Sequence, residues 1–208
     1  MNFLRLALAA GAALSILSVA VAQDRMPPIP PDQMTEPQKK AAEEIVAGPR
    51  GEVRGPYVPL LRSPELARRL QRTGEYLRFQ GGLEGQQREM MILLAARHWT
   101  QQYEFSAHQA LALKAGLKPN VITAIAEGRR PEGMAEDEEI IYNLSTELNG
   151  NRSVSDATYG RAVKKFGEQR LIDLVCLNGY YGMMAMVMNV ARTPLPAGTA
   201  PPLASFPR

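Results

Sequence analysis

The stretch QREMMILLAARHWTQQYEFSAHQALALKAG, residues 87–116, decides the fold class. Its apolar side chains recur three and four positions apart, the period of a helix with a face in a core, and Gly116 closes the run as glycine does after a helix. The stretch also holds both histidines of the chain, His98 and His108, and sets Glu104 one turn before His108. Residues at i and i+4 share a helix face with Cβ atoms about 5–6 Å apart. A carboxylate there can hold the imidazole's tautomer and favour its protonated form, which suits a proton donor or acceptor near neutral pH. Such pairs are also common on solvated helix faces, and spacing alone favours that plainer role.

Outward from this run the punctuation stays helical. TEPQKKAAEEIVAG opens with Thr35 and has Gln38 three residues on, a capping box, and stops at Gly48. SPELARRLQRTGEYLRFQG begins with Ser63 as N-cap and Pro64 at the first helical position, where a missing N–H costs nothing. Pro119 opens a short helix closed by Gly128. EDEEIIYNLSTELNG puts its acids at the positive end of the helix dipole and ends at Gly150. Ser155 caps the next segment, which Gly167 terminates. The last helix, EQRLIDLVCLNGYYGMMAMVMN, is apolar on most sides, with Met183, Met184, Met186 and Met188 beside Tyr180 and Tyr181. Such methionines fill cores or subunit interfaces more often than ligand boxes. With no strand-like alternation or hairpin turn, the expected class is all-α.

The 208 residues, 45% hydrophobic and 22% charged, suffice for one sizeable core. Residues 1–22 read as a signal peptide: Arg5 precedes an apolar run ending Ala20-Val21-Ala22, a small-x-small cleavage pattern. A retained anchor is the alternative, the run being near the lower length limit for a span. Cleavage predicts an exported protein, periplasmic or secreted, with no membrane contact afterwards; no later segment reads as long and apolar enough to span. Proline-rich stretches at residues 26–33 and 192–208 read as surface arms or disordered tails. Residues 23–49 thus comprise an arm and a first helix, residues 50–190 the helical domain, and residues 191–208 the C-terminal tail.

Cys176 is the only cysteine, so an internal disulfide, a CxxC redox pair and a zinc ribbon are all excluded. Without Arg5 the basic side chains exceed the 21 acidic ones only slightly and are interspersed, which leaves no footprint for nucleic acid. Glu-x-x-x-His supplies two ligands where a catalytic zinc wants three, and a di-iron bundle wants i, i+3 pairs, so no metal is expected. No cofactor is expected either.

GPYVPLLRSPELARRL, followed by the residue 87–116 run and LKPNVITAIAEG, resembles the carboxymuconolactone decarboxylase family of the alkylhydroperoxidase D-like superfamily, over roughly residues 50–190. The most specific parts are Arg88-Glu89, Glu104-x-x-x-His108 and the AGL turn. The alkylhydroperoxidase pattern of Glu, eleven residues, CxxC, three residues and His falls on Glu89, Gln101, Glu104 and His108, so the thiols are missing. The decarboxylase branch has a Glu before the His, which Glu104 matches. The resemblance implies an oligomer, trimer or hexamer, and cofactor-free acid/base chemistry on a small cyclic carboxylic acid or lactone. In it His108 is the proton donor, Glu104 orients it, and Glu89 is a second carboxylate.

Geometry constrains that assignment. In one straight helix Glu89 and Glu104 would lie about 22 Å apart and could not share a site. Either Glu89 is structural, or the helix breaks. A break near Trp99-Thr100, with Thr100 capping a helix from Gln101, would aim free N–H groups at a substrate carboxylate. Gln101 then joins Trp99, Tyr103 and Phe105 as candidate pocket residues, and Arg97 or Arg88 is the candidate guanidinium. Three readings follow: a decarboxylase- or isomerase-like enzyme acting on a small molecule, a non-catalytic binding or assembly protein, and, disfavoured by the missing thiols, a peroxidase.

Overall fold

A computed structural model describes residues 24–204; the proposed signal segment lies outside them. Eight α-helices make up the described chain: α1 (Glu36–Ala47), α2 (Tyr57–Leu60), α3 (Pro64–Glu75), α4 (Gly85–His98), α5 (Gln102–Lys114), α6 (Pro119–Ala126), α7 (Glu136–Asn151) and α8 (Asp156–Ala191). No strand occurs among the described residues. Two tighter or wider turns supplement them, a 3₁₀ turn at Pro31–Gln33 and a π-helical turn at Tyr76–Gln80.

Helix α4 is the centre of the molecule. Every residue from Glu89 to Arg97 is buried, because α5, α7 and α8 pack around the helix and α6 covers one side. A helix apolar on most of its circumference requires partners on all faces. Burying a Leu or Met side chain contributes about 1.5–3 kcal/mol, and α4 supplies such burial along the run from Met90 to Ala96.

The local signals act where spacing places them, with instructive departures. Thr35 and Gln38 form the capping box of α1. Ser63 occupies the N-cap of α3, but its hydroxyl makes no capping bond. Helix α7 runs past Gly150 and ends at Arg152 in the left-handed conformation. Gly167 ends its helical segment as expected: it adopts the non-helical φ 76° and ψ 165°, and a second helical segment follows directly, so α8 is two helices joined at a kink.

Contrary to the sequence expectation, α8 is long and apolar enough to cross a membrane by length and composition, although 61% of its most apolar window is buried against the other helices. Both proline-rich arms run over the surface and are tied down. Arg25 N–H donates to the Ala191 carbonyl at 2.8 Å, and Arg62 Nη2 to the Pro27 carbonyl at 2.8 Å. At the other end Leu203 is buried, and its backbone makes two hydrogen bonds to the Gln102 side-chain amide.

Candidate active site

The site begins at the corner between α4 and α5. Thr100 has φ 48°, a left-handed conformation that costs a β-branched residue strain. Around it Thr100 N–H donates to the Arg97 carbonyl and Gln101 N–H to the Ala96 carbonyl, the paired bonds of a Schellman motif. Gln101 then caps α5: its side-chain oxygen accepts from the N–H groups of Tyr103 (2.7 Å) and Glu104 (3.2 Å). The helix therefore breaks at Trp99-Thr100, but the cap is Gln101 and not Thr100. Thr100 is consumed by ending α4, and its positive φ excludes the extended conformation of an N-cap.

Folding α5 back beside α4 brings Glu89 to His108. Glu89 Oε2 lies 2.6 Å from His108 Nδ1, with both side chains buried. Arg88 Nε donates to the other carboxylate oxygen at 3.3 Å. Burial alone would raise the Glu89 carboxyl, but the hydrogen bond and charge of His108, with Arg78 and Arg88, hold it below the usual carboxylate range. Burial pushes His108 below its ordinary value, against the pull of Glu89, and the charges of Arg78 and Arg50 act in the same direction as burial. Both directions describe one state: an ionised Glu89 accepting from a neutral imidazole whose proton sits on Nδ1. The second ring nitrogen, Nε2, has a lone pair and no protein partner among the described residues. Tyr181 packs its ring edge against the imidazole with centroids 5.1 Å apart.

Glu104 differs from its sequence expectation. It does not hydrogen-bond His108; its Oε1 is buried without a partner. The i, i+4 spacing places the two side chains on one face of α5, but Glu89 occupies the Nδ1 position. Burial raises the Glu104 carboxyl well above its ordinary value and so favours its undissociated form. The two carboxyl groups are thus driven in opposite directions, Glu89 below its ordinary value and Glu104 above it.

Glu104 and His108 line a cavity of about 560 Å³, which also takes in Arg50, Tyr57, Arg78, Tyr103, Tyr181 and Met184. Arg50 comes from the loop between α1 and α2, and Arg78 from the π-helical turn, whose extra residue per turn re-aims side chains. Arg50 Nε donates to Gln71 at 2.8 Å, and its guanidinium stacks 4.6 Å from the centre of the Tyr57 ring. Tyr180 donates to the Leu70 carbonyl at 3.1 Å, which leaves Tyr57 as the donor in the 2.7 Å contact between the two hydroxyls. Gly74 permits this arrangement: a Cβ there would run into Tyr180 Oη and lie 2.7 Å from Arg50 Nη2.

The remaining sequence candidates divide. Tyr103 lines the cavity, and Gly55, where a Cβ would meet its ring at 2.8 Å, lets it close in. Gln101 is spent on the α5 cap and on a 2.9 Å bond to Asn189. Trp99 is partly exposed and sits against His98 away from the cavity. Arg97 also lies outside it, donating to the Ala204 carbonyl. Arg88 pairs with Glu89, and Phe105 is core. Arg50, Arg78 and Tyr57 carry no sequence signal, since isolated cations and a lone aromatic in a loop read as solvated surface. No group of three or more His, Cys, Asp or Glu that could hold a metal ion exists among the described residues. Cys176 is exposed on α8.

Comparison with known proteins places this geometry. The model of the carboxymuconolactone decarboxylase family matches residues 64–135. An alkylhydroperoxidase core structure from Ralstonia eutropha JMP134, described as an uncharacterized peroxidase-related protein, superposes with a TM-score of 0.68 at 16% identity, covering 83% of this chain and 92% of that one. An uncharacterized peroxidase-related protein from Silicibacter sp. TM1040 gives 0.65 at 14% identity, covering 88% and 96%. No curated protein matches. The fold is therefore alkylhydroperoxidase-like, and residues 64–135 carry the sequence pattern of the carboxymuconolactone decarboxylase family in a variant without the CxxC redox pair.

Proposed function

We propose that the cavity is the active site of a cofactor-free acid/base enzyme acting on a small cyclic carboxylic acid or lactone. One observation carries this reading: His108, held by Glu89 at 2.6 Å, and Glu104 one turn away, which burial pushes toward its undissociated form, open into the same cavity. Environments that push neighbouring titratable groups in different directions divide the acid and base roles. The division differs from the one the family resemblance implies, because burial makes His108 the resting base and Glu104 the resting acid.

Two reactions fit. In isomerisation, His108 Nε2 takes a proton from a carbon beside a carbonyl and the electron pair moves into the conjugated system. Glu104 then delivers its proton to a carbon further along, and the two groups reset by exchange with water. In decarboxylation, the bond to the carboxylate carbon breaks, carbon dioxide leaves, the electron pair enters a conjugated carbonyl, and Glu104 protonates the resulting carbanion. A thiol peroxidase reaction has no support, since Gln101 and Glu104 stand where paired cysteines would be needed.

The setting belongs to the same proposal. The apolar run at residues 6–22 supports action outside the cytoplasm. Self-association is supported by α8, where Ile172, Cys176, Met186 and Val190 are exposed at alternating coiled-coil spacing with Gly179 and Met183.

The test is to assay lactone acids and unsaturated cyclic acids for carbon dioxide release or double-bond migration, using wild type, His108→Ala and Glu104→Gln. Loss of about 10²–10⁴-fold in either variant supports the assignment. Equal rates in all three remove it, and saturable binding without turnover would make the chain a binding protein.

A further inference from the structure

Two guanidinium groups of the cavity form no ion pair among the described residues. Arg78 is half-buried and forms no ion pair or hydrogen bond among the described residues; its Cζ lies 4.9 Å from the centre of the Phe79 ring, and its charge acts on Glu89 from beyond ion-pair distance. Its Nε is buried and unsatisfied. Arg50, also half-buried, spends only Nε, on the uncharged Gln71, and its Nη2 is buried and unsatisfied. By contrast, the nearby Arg54 at the cavity mouth pairs with Glu52 at 3.1 Å. Half-buried cations without a counter-charge are costly, and proteins keep them where a ligand supplies the charge.

The acids near this end cannot do so. Glu89 pairs directly with His108 and Arg88 and acts on Arg78 only through its charge, and burial pushes Glu104 toward its undissociated form. The charges of both arginines reach Tyr57, His108 and Tyr181, which places them around one volume. The lining also includes the apolar side chains of Leu111, Met184 and Met188.

The geometry points to a carboxylate-binding subsite formed by Arg50 and Arg78, which takes a monocyclic carboxylate with its anion on the guanidinium groups and its ring against Met184 and Met188. This rests on the proposed reading of the cavity as a small-molecule site and names the handle by which the molecule is held. The two planar forks suit a carboxylate, and the cavity lies in the size range of drug-sized ligand sites. Gly74 is part of the device, since its lack of a side chain leaves room for Arg50 against α3.

Titration calorimetry with benzoate and its uncharged analogue benzamide tests the subsite. Wild type should bind benzoate saturably and at least about tenfold more tightly than benzamide. Arg78→Gln and Arg50→Gln should each weaken benzoate about tenfold or more and leave benzamide unchanged, whereas Arg129→Gln, remote from the cavity, should change neither. In wild type, the NMR signals of the Arg50 and Arg78 Nε–H groups should shift on benzoate titration, a measurement that survives poor folding of a variant. Absence of saturable benzoate binding, equal binding of the two probes, or equal benzoate affinity in the arginine variants overturns the subsite. His108→Ala and Glu104→Gln should still bind benzoate. Arginine-dependent binding without turnover of any acid would therefore leave the subsite standing while the catalytic reading fell.

Discussion

Glu89 and His108, 19 positions apart in sequence, meet at 2.6 Å because the corner at Thr100 lays α5 back along α4. The contact fixes which imidazole nitrogen carries the proton and leaves the other to work.

Glu89→Gln tests that orientation. The hydrogen bond and charge of Glu89 are what raise His108 against burial, so their loss should lower the His108 value further. The amide can also present its NH₂ to Nδ1 and select the wrong tautomer. Turnover should fall by about 10²-fold or more, with a lower His108 midpoint in NMR titration. A His108 midpoint that stays or rises would contradict the assigned dyad.

Glu104→Gln should separate stability from activity. The folded carboxyl titrates above its ordinary value of 4.5. The unfolded chain therefore loses its proton first, and wild-type stability declines as pH rises from about 4.5 toward the raised folded value. The slope is at most ~1.4 kcal/mol per pH unit. The amide cannot ionise, so the variant should lack this decline and be at least as stable as wild type at neutral pH, while turnover collapses. Urea unfolding at a series of pH values measures it, and identical pH slopes in the two proteins would contradict an undissociated Glu104.

The two groups together set a pH window for turnover. His108 must be neutral, and burial holds it below its ordinary 6.5, so the acid limb of kcat/KM should fall below that value. Glu104 must be protonated, so the alkaline limb reports its raised value. A bell follows, and Glu104→Gln should abolish its alkaline limb in whatever activity remains. An acid limb above 6.5 would mean that the charge of Glu89 outweighs burial.

Much of this was legible in residues 87–116. The helical period gave α4 and α5; the incompatibility of Glu89 with a straight helix left either a structural Glu89 or a break, and a break at Trp99-Thr100 was legible from a capping residue there, although the cap is Gln101 and not Thr100. The partner of His108 was not legible, because i, i+4 spacing reports only neighbours along one helix, whereas the turn-back at Thr100 supplies a competitor from the other. Nor were Arg50 and Arg78: one sits in a loop and the other in a π-helical turn that no simple period encodes. Arg97 was the more visible cation because it sits in the patterned run, yet its side chain points toward the C-terminal arm.

Gly74→Ala tests how tightly α3 supports the carboxylate end of the cavity. A Cβ at this buried position would collide with Tyr180 Oη and crowd Arg50 Nη2. Tyr180 is held by Tyr57 and the Leu70 carbonyl, so it cannot retreat without breaking a buried hydrogen bond. Ordinarily Gly→Ala in a helix gains up to about 1 kcal/mol; here overpacking should reverse the sign and cost about 1–3 kcal/mol. Displacing Arg50 should raise KM for a carboxylated substrate more than it lowers kcat, because the proton-transfer groups, Glu104 and His108, both lie on α5. Chemical denaturation and steady-state kinetics measure the two effects. A variant as stable as wild type with unchanged KM would show that neither Tyr180 nor Arg50 depends on the open space at Gly74.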